Sequence, residues 1–126
     1  MIDEAFPILS TPDLVRALGF YELLGAEVAY RFPEDGALEF VNLRLGGGSI
    51  GLARSPEASA ASDRFALWCY TDSCDETVAR LRAEGVTVVE EAADQPWGER
   101  VAQVRDHDGN TVYLGERADQ PAKPRT

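Results

Sequence analysis

The chain carries one histidine, His107, inside the run Arg105-Asp106-His107-Asp108-Gly109-Asn110. An imidazole titrates near neutral pH and suits general-base work. A position within an Asp-Gly turn signal also makes it an ordinary exposed turn residue, and that plainer reading is preferred. The carboxylates Glu90 and Glu91 are adjacent, so on a strand they face opposite sides and cannot serve one substrate as an acid/base pair. Gly46-Gly47-Gly48 lacks the lysine and following helix of a phosphate-binding loop and reads as a hairpin turn. Cys69 and Cys74 lack the paired spacing of a zinc site and are expected to be reduced packing residues. No catalytic residue is assigned. The side chain that stands out is Trp97, in Asp94-Gln95-Pro96-Trp97-Gly98-Glu99, a large aromatic between proline and glycine in a loop, where a ligand or partner has to cover it.

Composition limits what these residues can serve. The 126 residues include 22 acidic and 12 basic side chains, a net charge of −10. One domain of this length buries a core without disulfides or a structural metal. The excess of acid argues against a phosphate-backbone partner, so no nucleic acid is expected, and a cationic small molecule is the better electrostatic match. No apolar run approaches the ~20 residues that span a bilayer. The start, MIDEAFPILS, is acidic where a signal peptide is basic. The expected location is cytoplasmic, with no membrane partner.

The elements that must position these groups follow from punctuation and periodicity. A strand is expected over Ala5 to Ser10, then a helix opened by the Thr11 hydroxyl with Pro12 at its first position. Leu14, Leu18, Tyr21 and Leu24 form its apolar stripe and Gly25 ends it. Strands over Glu27 to Phe32, Ala37 to Leu45 and Ser49 to Arg54 complete a β-α-β-β-β module, residues 1–54. Residues 55–63, SPEASAASD, read as a linker. The pattern then restarts over 64–116: a strand Arg64 to Tyr70, a helix with the capping box Ser73/Glu76 and a face of Cys74, Val78 and Leu81, Gly85 as its stop, and strands Val86 to Glu90, Arg100 to Arg105 and Asn110 to Gly115. Residues 117–126 are expected to be a disordered tail. Matching Gly25 with Gly85 and Asp13 with Asp72 indicates an internal repeat. The fold class expected is α+β, two tandem βαβββ modules whose curved sheets enclose a cleft.

The segment from Asp94 to Arg100, continuing through Val104 to Asn110, resembles the C-terminal signature of bleomycin resistance proteins, in the vicinal oxygen chelate, or glyoxalase-like, superfamily. Phe20-Tyr21-Glu22-Leu23-Leu24-Gly25 is similar to the superfamily's FY-x-x-LG pattern. The likeness runs from about Phe6 to Glu116; Gln95-Pro96-Trp97-Gly98 points to the drug-binding branch, the other pieces only to the superfamily. It implies paired modules and a homodimer in which strands of two chains shape each of two clefts. It also implies exchange of an N-terminal arm hinged at Pro7.

In catalytic members of that superfamily a divalent metal is held by one residue from each of four strands, mostly His and Glu, to polarise an oxygen substrate. In this sequence Phe6, Gly51, Phe65 and Tyr113 take those positions, and the neighbours Pro7, Ala66, Ile50 and Val112 are no better as ligands. No metal and no cofactor are expected. Phe6, Phe65 and Tyr113 then make an aromatic floor, with Leu67 beside Phe65 and with Leu38 and Phe40 on the third strand. Trp97, with Gly98 next to it, is expected to stack on a planar ligand. Glu39, Asp94 and Glu99 supply anionic rim contacts to a cationic group. Phe20, Tyr21, Trp68 and Tyr70 are assigned to the helix-facing core. The function expected is metal-independent sequestration of a bulky planar DNA-damaging antibiotic, such as bleomycin or an anthraquinone-fused enediyne. The alternative is a metal-free enzyme of the same fold in natural-product or small-molecule metabolism, which a buried carboxylate or an inward-bonded His107 would favour.

Overall fold

The computed structural model describes residues 1, 3–58 and 65–118. The chain divides between residues 60 and 61 into two compact units. The first contains β1 (Ile8–Thr11), α1 (Leu14–Leu23), β2 (Glu27–Phe32), β3 (Phe40–Leu45) and β4 (Gly48–Arg54); the second contains β5 (Ala66–Tyr70), α2 (Cys74–Ala83), β6 (Thr87–Asp94), β7 (Arg100–Arg105) and β8 (Thr111–Glu116). Each unit is a four-stranded sheet, ordered β1-β4-β3-β2 and β5-β8-β7-β6. In both, the first strand pairs parallel with the last and the rest of the ladder is antiparallel. The shared order is the α+β duplication expected of tandem βαβββ modules.

Helix ends explain the matching lengths. Asp13 caps α1 by accepting from the Arg16 amide, and Ser73 caps α2 by accepting from the Glu76 amide. The first cap therefore differs from the expected one. The Thr11 hydroxyl instead accepts from the Asp13 amide at 3.1 Å, and Pro12 lies ahead of the helix. Both helices stop at a glycine in the left-handed region, Gly25 at φ 94° and Gly85 at φ 84°, where a side chain would be strained. Cap and stop are thus each 60 residues apart, and Ser73, not Asp72, is the counterpart of Asp13.

The cores lie between each helix and one face of its sheet. In the first unit Leu14, Ala17, Phe20 and Tyr21 of α1 are buried with Val41, Leu43, Ile50 and Leu52. The buried stripe runs through Ala17 and Phe20 rather than through Leu18 and Leu24, which stay half-buried. In the second unit Cys74, Val78 and Leu81 are buried with Ala102, Val104, Val112 and Leu114. The strand alternation leaves the other residues of each sheet on an open face. Several strand ends also differ: β1 begins at Ile8, β3 at Phe40 and β5 at Ala66, while β6 runs on to Asp94. Of the expected linker, residues 55–58 form a turn closed by Ala58 N–H to Ser55 C=O. Residues 59–63, Arg64 and the tail from 119 lie outside the described residues.

Both cysteines are unpaired. Burial pushes the Cys69 thiol up to about 11 and raises that of Cys74 as well. The folded chain keeps the Cys69 proton where the unfolded chain loses it, so this contribution to stability is complete below the ordinary thiol range and fades as pH rises toward about 11. No described helix is long and apolar enough to cross a membrane.

Candidate functional site

The open face of the second unit gathers aromatic side chains. On β5, Ala66, Trp68 and Tyr70 point to one side and Leu67 and Cys69 to the other, because side chains alternate across a strand. Trp68 lies opposite Tyr113 of β8 in the parallel ladder. Their rings stand 5.5 Å apart with planes tilted by 33°, and Tyr70 meets Trp68 edge-on at 5.9 Å. Gly115 makes this possible. A Cβ there would fall 2.9 Å from Trp68 Cζ2, so the missing side chain is the space the indole occupies. The first unit repeats the device, since a Cβ at Gly51 would lie 3.1 Å from the Phe40 ring, which itself stands 6.2 Å from Tyr30.

The loop between β6 and β7 brings a fourth ring to the second unit. Gln95 C=O accepts from the Gly98 amide at 2.9 Å, closing a turn with Pro96 and Trp97 at its centre, and Gly98 has φ 98°. Trp97 is 62% exposed. Its indole N–H donates to Glu99 Oε1 at 2.8 Å, while the Tyr70 hydroxyl donates to Oε2 of the same carboxylate at 2.8 Å. Glu99 thus ties the loop ring to the strand ring. By accepting that bond, and with burial adding to it, Glu99 holds the Tyr70 phenol above its ordinary range. The Arg117 guanidinium carbon sits 4.0 Å above the Tyr70 ring centre, a cation–π contact. On the helix side of the sheet, Arg100 grips Asp75 through two bonds of 2.9 Å and Asp94 at 3.2 Å. This pairing lowers the Asp75 carboxyl and ties the start of α2 to the root of the Trp97 loop.

Residues 3–114 match the sequence description of the glyoxalase/bleomycin resistance protein/dioxygenase superfamily. The chain belongs to that superfamily. No curated protein matches the chain significantly. Among solved structures, TioX from Micromonospora sp. ML1 is 26% identical, with 91% of this chain and 98% of that one covered at a TM-score of 0.76. UcmS2 is 22% identical, covering 91% and 98% at 0.72. A bleomycin resistance determinant encoded on the transposon Tn5 is 21% identical, covering 92% and 98% at 0.71. Likeness at these last two identities shows a shared fold.

Membership raises the question of a metal, and the residues present do not fit one. The paired open-face positions on the first and last strands hold Ile8 and Gly51 in the first unit and Trp68 and Tyr113 in the second. Isoleucine, glycine and tryptophan offer no side-chain ligand. Among the described residues no group of three or more His, Cys, Asp and Glu could hold an ion. The superfamily includes enzymes as well as drug-binding proteins, and family membership alone does not separate them.

The residues singled out from sequence fall in both units. Trp97, Gly98 and Tyr113 lie in the second unit, and Tyr113 joins the ring cluster directly. Phe40 lies on the open face of the first unit, where Phe6 precedes β1 and Leu38 lies in the loop before β3. Pro7 also precedes β1, and its carbonyl accepts from the Gly51 amide at 2.8 Å. Glu39 is exposed and paired with Arg54 at 3.5 Å. Phe65 precedes β5 and is 79% exposed. Leu67 lies opposite buried Val112, on the helix side of the sheet and not beside the rings. Trp68 and Tyr70, assigned above to the helix-facing core, are instead on the open face, 41% and 44% exposed. Only Phe20 and Tyr21 of that group are buried under the helix. The missed residues are therefore Trp68, Tyr70 and Arg117. The 60-residue spacing of the caps was the available signal: it sets Ala66, not Phe65, against Phe6 and Trp68 against Ile8.

Proposed function

We propose that the chain is a metal-independent cytoplasmic binding protein that sequesters a bulky planar natural product, with antibiotics of the bleomycin and enediyne types as the class in view. One observation carries this: the second unit gathers four aromatic side chains, with Trp68, Tyr70 and Trp97 exposed and Tyr113 half-buried against Trp68, and Glu99 ties Trp97 to Tyr70. Ring stacking contributes about 0.5–1.5 kcal/mol per pair beyond area burial, enough for two or three contacts to hold a flat ring system. Exposed aromatic patches of this kind mark binding surfaces. Membership of a superfamily whose description includes bleomycin resistance proteins is consistent with this ligand class. The unpaired cysteines support a reducing compartment. The enzyme alternative gains nothing from the one buried carboxylate among the described residues, Asp106, whose oxygens are bound to turn amides.

Titration with metal-free bleomycin and a panel of polycyclic antibiotics, followed by tryptophan fluorescence, tests the reading. Saturable quenching near one ligand per chain is expected, with affinity lowered about tenfold in Trp97→Ala. Absence of saturable quenching across the panel would exclude it. We further propose a homodimer, because Ile8, Tyr30 and Phe32 leave apolar surface on the open face of the first unit that a second copy would cover. Light scattering on the eluting protein is then expected to give twice the chain mass, and a monomer mass counts against it.

A further inference from the structure

Building on the planar-ligand reading of the second unit, we infer that the ligand carries an accepting oxygen at the edge of its ring system, a carboxylate, phenolate or carbonyl, and that Arg117 receives it. The charges of the site point this way. Two rim carboxylates of the second unit singled out from sequence are each engaged within the chain. Asp94 pairs with Arg100. Glu99 spends one oxygen on Tyr70 and the other on Trp97. The cation beside the rings is Arg117. Arg117 Nε is shielded from water with no acceptor, the one such side-chain nitrogen or oxygen among the described residues. A guanidinium has five donors and no acceptor; with Nε covered, a ligand oxygen is received by the terminal N–H groups.

Position supports the same conclusion. The guanidinium is held over Tyr70, at the end of the run Tyr113–Trp68–Tyr70. A flat ligand lying on Tyr113 and Trp68 has its edge toward Tyr70 and Arg117, whose planar fork matches two oxygens better than an ammonium would. The overall charge of −10 draws cations from a distance. Arg117 reverses that preference locally, so a ligand is selected at contact range by its oxygen and not by the long-range field.

The test uses one ring system with three substituents: pyrene-1-carboxylate, pyrene-1-methanol and pyrene-1-methylammonium, each titrated into the full chain and followed by pyrene fluorescence. The carboxylate is expected to bind about tenfold more tightly than the methylammonium. In Arg117→Gln the carboxylate loses about that factor while the alcohol stays within about twofold. Arg117→Lys keeps the charge without the fork and is expected to fall between. The wild-type preference stands as evidence even if Arg117→Gln fails to fold. Equal binding of all three, a preference for the methylammonium, or an unchanged preference in a folded Arg117→Gln overturns the inference and leaves the planar-ligand reading in place. Failure of all three to bind overturns both.

Discussion

Gly115→Val is expected to lower the affinity for a planar ligand roughly thirtyfold, about 2 kcal/mol, while costing the fold about 1 kcal/mol or less. The two effects separate because of what the new side chain strikes. A Cβ at residue 115 falls 2.9 to 3.0 Å from three atoms of the Trp68 indole, its three nearest neighbours. Trp68 is partly exposed, so the ring can swing outward instead of straining the sheet. In doing so it abandons its contacts with Tyr113 and Tyr70, and with them the arrangement of rings that a ligand would meet. Ligand titration beside urea unfolding reads both quantities on one sample. Gly115→Ala should show the same sign with a smaller loss. Unchanged affinity in a folded Gly115→Val would mean that Trp68 is not part of the binding surface.

Asp106→Ala is expected to destabilise the chain by about 3 kcal/mol, the largest single loss among side chains outside the apolar cores. Asp106 is 6% exposed. Its Oδ1 accepts from the amides of Asp108 at 3.0 Å and Asn110 at 2.8 Å, and its Oδ2 from the Asn110 side chain at 2.8 Å. Alanine strands three donors at once, in a turn that also needs Gly109 at φ 88°. Bonds to an ionised acceptor contribute more than neutral ones, which is why a single side chain weighs this much. The measurement is the urea midpoint at unchanged slope, with Asp106→Asn expected to recover part of the loss by keeping one oxygen. A loss below about 1 kcal/mol would show that water takes over the donors. The same turn aligns β7 with β8, the strand that carries Tyr113 and Gly115, so the Asp-x-Asp-Gly-Asn run acts on the site through backbone geometry.

Within this chain the elements were legible in the sequence because local chemistry specifies them. The hydroxyl or carboxylate before each helix, the glycine after it and the turn at Asp108-Gly109 are local signals, and β2 and β7 have their expected bounds. Trp97 was legible as a loop aromatic because proline and glycine on either side exclude a strand. What the tertiary structure decided was the face on which each strand residue lies. Alternation divides β5 into two sets but does not say which set meets the helix. Pairing Asp13 with Asp72 instead of Ser73 shifts the second module by one residue, and one residue exchanges the faces. That shift placed Phe65 and Leu67 toward the ligand and hid Trp68 and Tyr70, whereas the ladder partner Tyr113 and the space over Gly115 put the latter two outside. Arg117 follows the last strand, where no periodicity reaches. Its role depends on a contact with Tyr70, 47 residues earlier in the chain, which only the folded sheet brings about.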